Sequence, residues 1–97
     1  MIASFGDRQT EDLYHGRPTA RARRFPKEMS KIALKKLDVL NAAAHLIDLR
    51  ALPGNRLEAL KGDMKGLHAI RVNVQWRIVF RWEGGDACEV RLIDYHP

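Results

Sequence analysis

Apolar residues recur at three- and four-residue intervals through the middle of the chain, which predicts an amphipathic helix. The helix is expected to start at Pro26, because proline is well suited to a first helical turn. It is expected to end by Leu49 or Arg50, since Leu52-Pro53-Gly54-Asn55 is a strong helix breaker. The apolar stripe consists of Met29, Ala33, Leu37, Leu40, Ala44 and Ile47.

The last third changes to the two-residue alternation of β-strands. Three strands are predicted, over Leu67 to Val72, Gln75 to Trp82 and Ala87 to Ile93. Short turns at Asn73-Val74 and Gly84-Gly85 would join them into an antiparallel meander.

Alternation along the middle strand separates an apolar face from a cationic one. The first face carries Trp76, Ile78, Phe80 and Trp82, and the second carries Arg77, Val79 and Arg81. The helical stripe needs an apolar sheet to cover, and the tryptophan face is the large candidate. The pattern therefore predicts an α+β fold: a small, mostly antiparallel sheet backed by N-terminal helices, with its second face open.

The remaining segments are less regular. Ile2 to Phe5 is expected to form a strand that pairs with later parts of the chain. Asp7 could cap a short helix that runs to about His15, and irregular chain follows up to Pro26. Asn55 to Gly66 is predicted to be mostly loop.

A length of 97 residues predicts one domain, residues 1–97, with one core. The chain holds 17 Lys and Arg against 12 Asp and Glu, a net charge of +5. Eight basic residues and one acid lie between Arg17 and Lys36. This balance favours a polyanionic partner, although a solvated basic face would also explain the segment.

Cysteine use and hydropathy predict a cytoplasmic protein. One cysteine, Cys88, cannot form an internal disulfide, and neither a signal peptide nor a membrane span is expected. The spacing of His15, His45 and His68 does not resemble a tetrahedral site, so neither a metal nor a cofactor is expected.

Two cations are candidates for contact with phosphate. A strand would hold Arg77 rigidly on the open face, where its planar fork can pair with two phosphate oxygens; it could instead form a surface pair with Glu89. Lys61 precedes Gly62, which would let a nucleotide approach the backbone, but Lys-Gly-Asp is also ordinary turn composition.

Groups that can transfer protons lie close to these cations in sequence. Asp94, Tyr95 and His96 offer a carboxylate, a phenol and an imidazole at the end of a strand. Alternation places Asp94 and His96 on one side and Tyr95 on the other. Tyr95 could instead cap the core, and His96 could be frayed. Glu58 is a possible general base, or a surface partner of Lys61.

These segments resemble the HigB/GraT branch of the RelE superfamily of bacterial toxins. The resemblance rests on G-N-R-L-E-x-L-x-G, then I-R-V-N-x-Q-W-R, then a terminal D-Y-H, and it spans nearly the whole chain. It implies a RelE-like microbial RNase fold and a ribosome-dependent endoribonuclease that cleaves mRNA during translation without a metal. The catalytic residues it implies are Arg77, Lys61, Asp94, His96 and Tyr95, with Glu58 as a candidate base beside them. Asn73 is a candidate RNA-binding residue, and Arg71 or Arg81 could supply the positive charge that it lacks. Related toxins often carry histidine at the position of Glu58 and arginine at that of Asn73.

The resemblance also implies partners. These are the ribosome and its mRNA, a HigA-type helix-turn-helix antitoxin, and operator DNA bound indirectly through that antitoxin; no membrane is implied. Two other functions stay open on the residues alone. One is a basic nucleic-acid-binding module without catalysis, and the other is an interaction partner whose basic surface docks an acidic protein.

Overall fold

The computed structural model of the chain describes residues 1–52 and 54–95. Four strands form one antiparallel sheet in the order β1-β2-β3-β4, and helices cover one of its faces. The predicted α+β class with a helix-backed antiparallel sheet is therefore confirmed. The strands are β1 Glu58–Ala59, β2 His68–Arg71, β3 Trp76–Glu83 and β4 Asp86–Asp94, and the α-helices are α1 Arg8–Tyr14, α2 Ala20–Arg23 and α3 Lys27–Ala42.

The sheet is larger than the predicted three-stranded meander. The segment predicted to be loop contains β1, which pairs with β2 through Glu58 opposite Ala69, and a 3₁₀ helix at Gly62–Met64. On the opposite edge, the N-terminal segment runs parallel to β4, with Ile2 opposite Ala87 and Phe5 opposite Val90. The prediction that this segment pairs with later chain is thus confirmed.

Both predicted turns of the meander are present. Gly84 and Gly85 join β3 to β4 with φ angles of 58° and 84°, a left-handed conformation that glycine adopts without steric cost. The β4 strand carries one extra residue opposite Phe80. Val79 is paired with Arg91 and Arg81 with Cys88, so two β4 residues lie opposite the single residue Phe80. This bulge shifts every β4 partner on its hairpin side by one residue.

The α1 helix forms where its capping residue predicts it. Asp7 accepts a hydrogen bond from the backbone N–H of Thr10 at 2.8 Å, and His15 follows the last turn. The segment predicted to be irregular also contains α2, which Thr19 caps. The first third of the chain is thus more ordered than its composition indicates.

The predicted end of the long helix is wrong. The α3 helix stops at Ala42, because Ala43 is extended, and a 3₁₀ helix at Leu46–Ala51 follows. The backbone N–H of His45 donates to the Asp48 carboxylate at 2.9 Å, which starts this second helix. Consequently Ala44 is exposed and Ile47 is 63% exposed, so the end of the predicted stripe does not join the core.

The main core lies between α3 and the helix-backed face of the sheet. Met29, Ala33, Leu37 and Leu40 of the predicted stripe are buried there against β2, β3 and β4, as the alternation predicted. Phe25 packs edge-on against Trp76, with ring centroids 5.6 Å apart.

The second face of the sheet is not fully open, which corrects the prediction. Leu60, Ala69 and Val79 form a small buried cluster at its centre, to which Met64, Leu67 and Ile93 add. The loop after β1 therefore packs onto this face, and charged side chains occupy the area around the cluster. Within the described ranges, no helix is long and apolar enough to cross a membrane.

Candidate active site

Arg77 lies on the second face of the sheet, where three groups hold its side chain. Its Nη1 donates to the carbonyl oxygens of Asn73 at 2.7 Å and Trp76 at 3.1 Å. The Tyr95 ring lies under the guanidinium, with the central carbon 5.3 Å from the ring centroid, a cation–π geometry. The guanidinium is therefore oriented before any ligand arrives.

Arg71 is the direct cross-strand neighbour of Arg77 on this face. The two residues are register partners on β2 and β3, and both are half-buried. Like charges opposite each other on adjacent strands destabilise a sheet, and a phosphate that binds between them would offset that repulsion. The pair is therefore suited to a dianionic group.

The C-terminal end of β4 divides its candidates between the two faces. Asp94 is the register partner of Trp76, so it lies at the helix-backed face. Tyr95 lies on the other side against Arg77. The predicted alternation of these two residues is confirmed, and only Tyr95 joins the arginine pair. His96 lies outside the described residues.

Glu58 and Lys61 lie at the rim of the same face. Register places Glu58 beside Ala69 of the central cluster, and Glu58 also lines a cavity of about 360 Å³ at the sheet edge with Arg50 and His68. Lys61 is exposed and directly precedes the 3₁₀ helix at Gly62–Met64. Register thus places Glu58 diagonally across from Arg71 on the adjacent strand. Lys61 lies farther along the sheet edge and follows Leu60, whose backbone N–H donates to the Leu67 carbonyl.

Arg81 and Asn73 engage in local contacts. Arg81 binds Glu83 at 3.0 Å and Glu89 at 2.7 Å; the hydrogen bond to Glu83 and the charge of Glu89 raise the pKa of the guanidinium. The alternative pairing of Arg77 with Glu89 is thus wrong. The Asn73 side chain accepts hydrogen bonds from the backbone N–H groups of Gln75 and Trp76.

Sequence reasoning missed two residues near the site. Gln75 donates from its side chain to Asp94 at 2.9 Å, and its carbonyl accepts from the Tyr95 backbone N–H at 2.7 Å. Arg91 faces Val79 and adds a cation to the second face. Alternation along β4 could have identified Arg91, whereas the contacts of Gln75 depend on a register that the sequence does not specify.

The arrangement offers one oriented guanidinium group on Arg77 with a phenol stacked on it, a second guanidinium group on the neighbouring Arg71, and a carboxylate and an ammonium at the rim. Fixed cations of this kind stabilise charge that develops on a phosphate in a transition state. Among residues 1–52 and 54–95, no three His, Cys, Asp or Glu side chains gather where they could hold a metal ion.

A family model and two known proteins match the sequence of this chain, and all three are described as HigB toxins or HigB endoribonucleases. Residues 3–96 match the sequence model of a family described as "RelE-like toxin of type II toxin-antitoxin system HigB". The chain is 39% identical over 92 residues to "Toxin HigB-1" of Vibrio cholerae, covering 95% of each protein. It is 33% identical over 73 residues to "Endoribonuclease HigB" of Proteus vulgaris, covering 69% of this chain and 79% of that protein.

Solved structures share the fold at low sequence identity. A chain of the YoeB-YefM complex from Staphylococcus aureus aligns with a TM-score of 0.61 and 18% identity, over 100% of this chain and 99% of that one. A YoeB/ParE toxin from Agrobacterium tumefaciens aligns with a TM-score of 0.53 and 19% identity, over the full length of both chains. The architecture is therefore that of RelE-like toxins.

Proposed function

The chain belongs to the HigB-like family of RelE-like toxins from type II toxin–antitoxin systems, and from that premise we propose that it is an endoribonuclease that cleaves mRNA on the translating ribosome. The observation that supports this most is the pair formed by Arg71 and Arg77, which lie opposite each other on one face with Tyr95 stacked on the second arginine. The endoribonuclease name of the Proteus vulgaris relative points to the same reaction.

The proposed reaction is attack of a ribose 2′-oxygen on the adjacent phosphorus. The 2′-hydroxyl loses its proton to a base, the P–O5′ bond breaks, and the departing 5′-oxygen takes up a proton. The products are a 2′,3′-cyclic phosphate and a 5′-hydroxyl end. Arg77 and Arg71 would stabilise the dianionic phosphorane, and Lys61 would add positive charge from the rim.

Proton transfer is assigned to one residue on the face of the arginine pair and to one residue of the terminal family motif. Glu58 is the proposed base, since it borders the same face as Arg77, whereas Asp94 lies at the opposite face. His96 is the proposed acid on the basis of the terminal D-Y-H motif of the family, because an imidazole can donate a proton near neutral pH. Asp94 then serves to anchor the end of β4 through Gln75.

Dependence on the ribosome is supported by where the positive charge lies. The basic segment from Arg17 to Lys36 belongs to the helical layer, whereas the arginine pair lies on the other face of the sheet. A single partner that contacts both the basic segment and the arginine pair must present negative charge on two sides of the molecule, as ribosomal RNA can. The ribosome would also position the message, which lowers the entropic part of the barrier.

The proposed partners follow from the family. We expect a HigA-type helix-turn-helix antitoxin, with operator DNA bound through it, and a cytoplasmic location, where translating ribosomes are. The structural relative from Staphylococcus aureus was solved as a toxin–antitoxin complex, which supports a neutralising partner for this chain. The whole chain would act as a single toxin domain.

The alternative is a basic nucleic-acid-binding module without catalysis, which the net charge of +5 alone supports. Such modules use exposed aromatic platforms for single strands, but Phe80 is buried and Trp76 and Trp82 pack against the core. The half-buried Tyr95 ring is already stacked on Arg77. The arginine pair therefore favours the catalytic function.

The test is to map new 5′ ends on a defined mRNA with and without translating ribosomes. We expect cuts inside the reading frame that require ribosomes, that carry 5′-hydroxyl ends, and that disappear in Arg77→Ala but persist in the matched control Arg81→Ala. Uncut message together with salt-sensitive binding would support the non-catalytic module instead.

A further inference from the structure

The turn between β2 and β3 contacts both parts of the candidate site. Its first residue, Asn73, uses its side-chain oxygen to accept hydrogen bonds from the backbone N–H groups of Gln75 at 2.9 Å and Trp76 at 2.8 Å. This is an Asx turn, in which a short polar side chain replaces a backbone acceptor. The turn therefore depends on the oxygen atom of Asn73.

The same turn fixes the acceptor that orients Arg77. The Asn73 carbonyl receives the shorter of the two Nη1 hydrogen bonds, 2.7 Å against 3.1 Å for the Trp76 carbonyl. Because the Asn73 side chain closes the turn over residues 73–76, its own carbonyl cannot rotate without breaking those bonds. The direction of the Asn73 carbonyl thus determines the direction of the Arg77 guanidinium.

The turn also holds the end of β4. The Gln75 carbonyl accepts from the Tyr95 N–H at 2.7 Å, and the Gln75 side chain donates to Asp94 at 2.9 Å. Tyr95 in turn lies against Arg77. One short turn thus sets the position of the guanidinium and of the ring stacked on it.

We propose that Asn73 is a positioning residue, which orients Arg77 and Tyr95 through the turn instead of binding RNA as its position in the family motif implied. This inference rests on the proposed function. With Nη1 engaged by two carbonyls, Nε and Nη2 form the edge of the guanidinium that pairs with the phosphate. Loss of the Asx oxygen would free the carbonyl and let this edge move away from the phosphate.

Two substitutions at position 73 separate the two roles. Asn73→Asp keeps the accepting oxygen and adds a negative charge, whereas Asn73→Ala removes the oxygen and adds no charge. A positioning role predicts that Asn73→Asp keeps kcat within about threefold, because Asn and Asp cap backbone N–H groups about equally well. It predicts that Asn73→Ala lowers kcat by about 10- to 100-fold with little change in KM, because misplaced catalytic groups slow the chemical step.

The measurement is kcat and KM for cleavage of mRNA on programmed ribosomes, with the full chain. An RNA-contact role predicts the reverse order, with Asn73→Asp the worse variant and the loss in KM. That order, or an Asn73→Ala variant with unchanged kcat, would overturn the proposal. Should Asn73→Ala fail to fold, Asn73→Ser takes its place, since a serine hydroxyl accepts the same bonds more weakly, and its kcat must lie below that of Asn73→Asp.

A readout independent of activity is the NMR signal of the Arg77 guanidinium. We expect separate, slowly exchanging Nη signals in the parent and in Asn73→Asp, and averaged signals in Asn73→Ala. Identical signals in all three would contradict the positioning role.

The Arg77→Ala variant distinguishes failure of the proposed function from failure of the positioning role of Asn73. If it still cleaves, the proposed function fails; if it is inactive while Asn73→Ala cleaves normally, only the positioning role fails.

Discussion

At the scale of single residues, the site depends on how Arg77 is held. Two carbonyls and one aromatic ring fix its guanidinium. Strand alternation predicted the face of Arg77 correctly, because a two-residue period needs no knowledge of neighbours. Alternation did not predict that Glu89 pairs with Arg81, because the bulge in β4 shifts the register and has no clear signal in the sequence. Glu89 adopts a φ of 54° at this bulge, an angle that non-glycine residues rarely adopt.

Replacing Arg77 with lysine tests the shape of the cation. We expect Arg77→Lys to lower the single-turnover cleavage rate by roughly 100-fold or more, because an ammonium lacks the planar fork and the stacking surface. The matched control is Arg81→Lys, whose side chain remains beside Glu83 and Glu89. A lysine variant that cleaves at the parental rate would show that charge alone suffices.

Substitutions of Tyr95 test whether its ring acts by stacking on Arg77 or its phenol acts by proton transfer. Tyr95→Phe keeps the ring under the guanidinium, so cleavage should stay near the parental rate, whereas Tyr95→Ala should lose about two- to fivefold or more as the cation–π interaction disappears. Single-turnover rates on programmed ribosomes would measure both. A loss of about 100-fold in Tyr95→Phe would instead assign the phenol a role in proton transfer.

At the scale of elements, the sequence predicted strands and the short capped helix better than it predicted where α3 ends. The reason is that Ala44 and Ile47 continue the helical spacing, and the nearest strong breaker lies at Pro53. The helix stops earlier because His45 and Asp48 begin a separate 3₁₀ helix. Likewise β1 has two residues, too few to show any period, so Glu58 could be proposed as a base but not placed on a strand.

The link between α1 and α2 depends on one buried carboxylate. Asp12 accepts hydrogen bonds from Thr19 at 2.9 Å and from Arg17 at 3.2 Å, and pairs with Arg21 at 3.5 Å. The hydrogen bond from Thr19, together with the two arginines, holds the pKa of Asp12 below its ordinary value of 3.8 despite burial.

This depressed pKa gives the folded state a pH-dependent contribution. The contribution is complete above the ordinary value of 3.8 and is lost as the pH falls through the lower pKa of the folded state, because the unfolded chain binds the proton first. Asp12→Asn should therefore be less stable at neutral pH, and its unfolding free energy should fall less steeply under acid. Urea unfolding across a pH series measures this, with Asp63→Asn, at an exposed position of the 3₁₀ helix at Gly62–Met64, as the control. Parallel curves for parent and Asp12→Asn would contradict it.

At the scale of the whole molecule, charge is divided between two layers. The segment from Arg17 to Lys36 carries a net charge of +7, and since the chain carries +5, the remainder carries −2. The excess lies in the helical layer, while the arginine pair lies across the sheet. Composition predicted a polyanionic partner, but only the fold shows that the basic segment and Arg77 lie on different sides.

Reversing charges in the helical layer should weaken binding without slowing the chemical step. We expect Lys31→Glu with Lys35→Glu to raise the KM for programmed ribosomes and to reduce the slope of log affinity against log salt by about 0.7 to 0.9 for each phosphate that is no longer neutralised. The single-turnover rate at saturation should be unchanged, because both side chains point away from the sheet into solvent. The control is Lys65→Glu, which changes the net charge by −2 against −4 for the double variant, and a loss of log affinity half as large in that control would indicate a response to net charge alone.

The claim at the centre of this account is that Arg71 and Arg77 act together on one phosphate. The direct test is a double-mutant cycle: single-turnover cleavage rates on programmed ribosomes for the parent, Arg71→Ala, Arg77→Ala and the double variant. The account predicts strong coupling, with the double variant little slower than Arg77→Ala alone, because residues that act as a unit are not additive. Rates for which the two losses multiply, or an Arg77→Ala variant that cleaves like the parent, would contradict it.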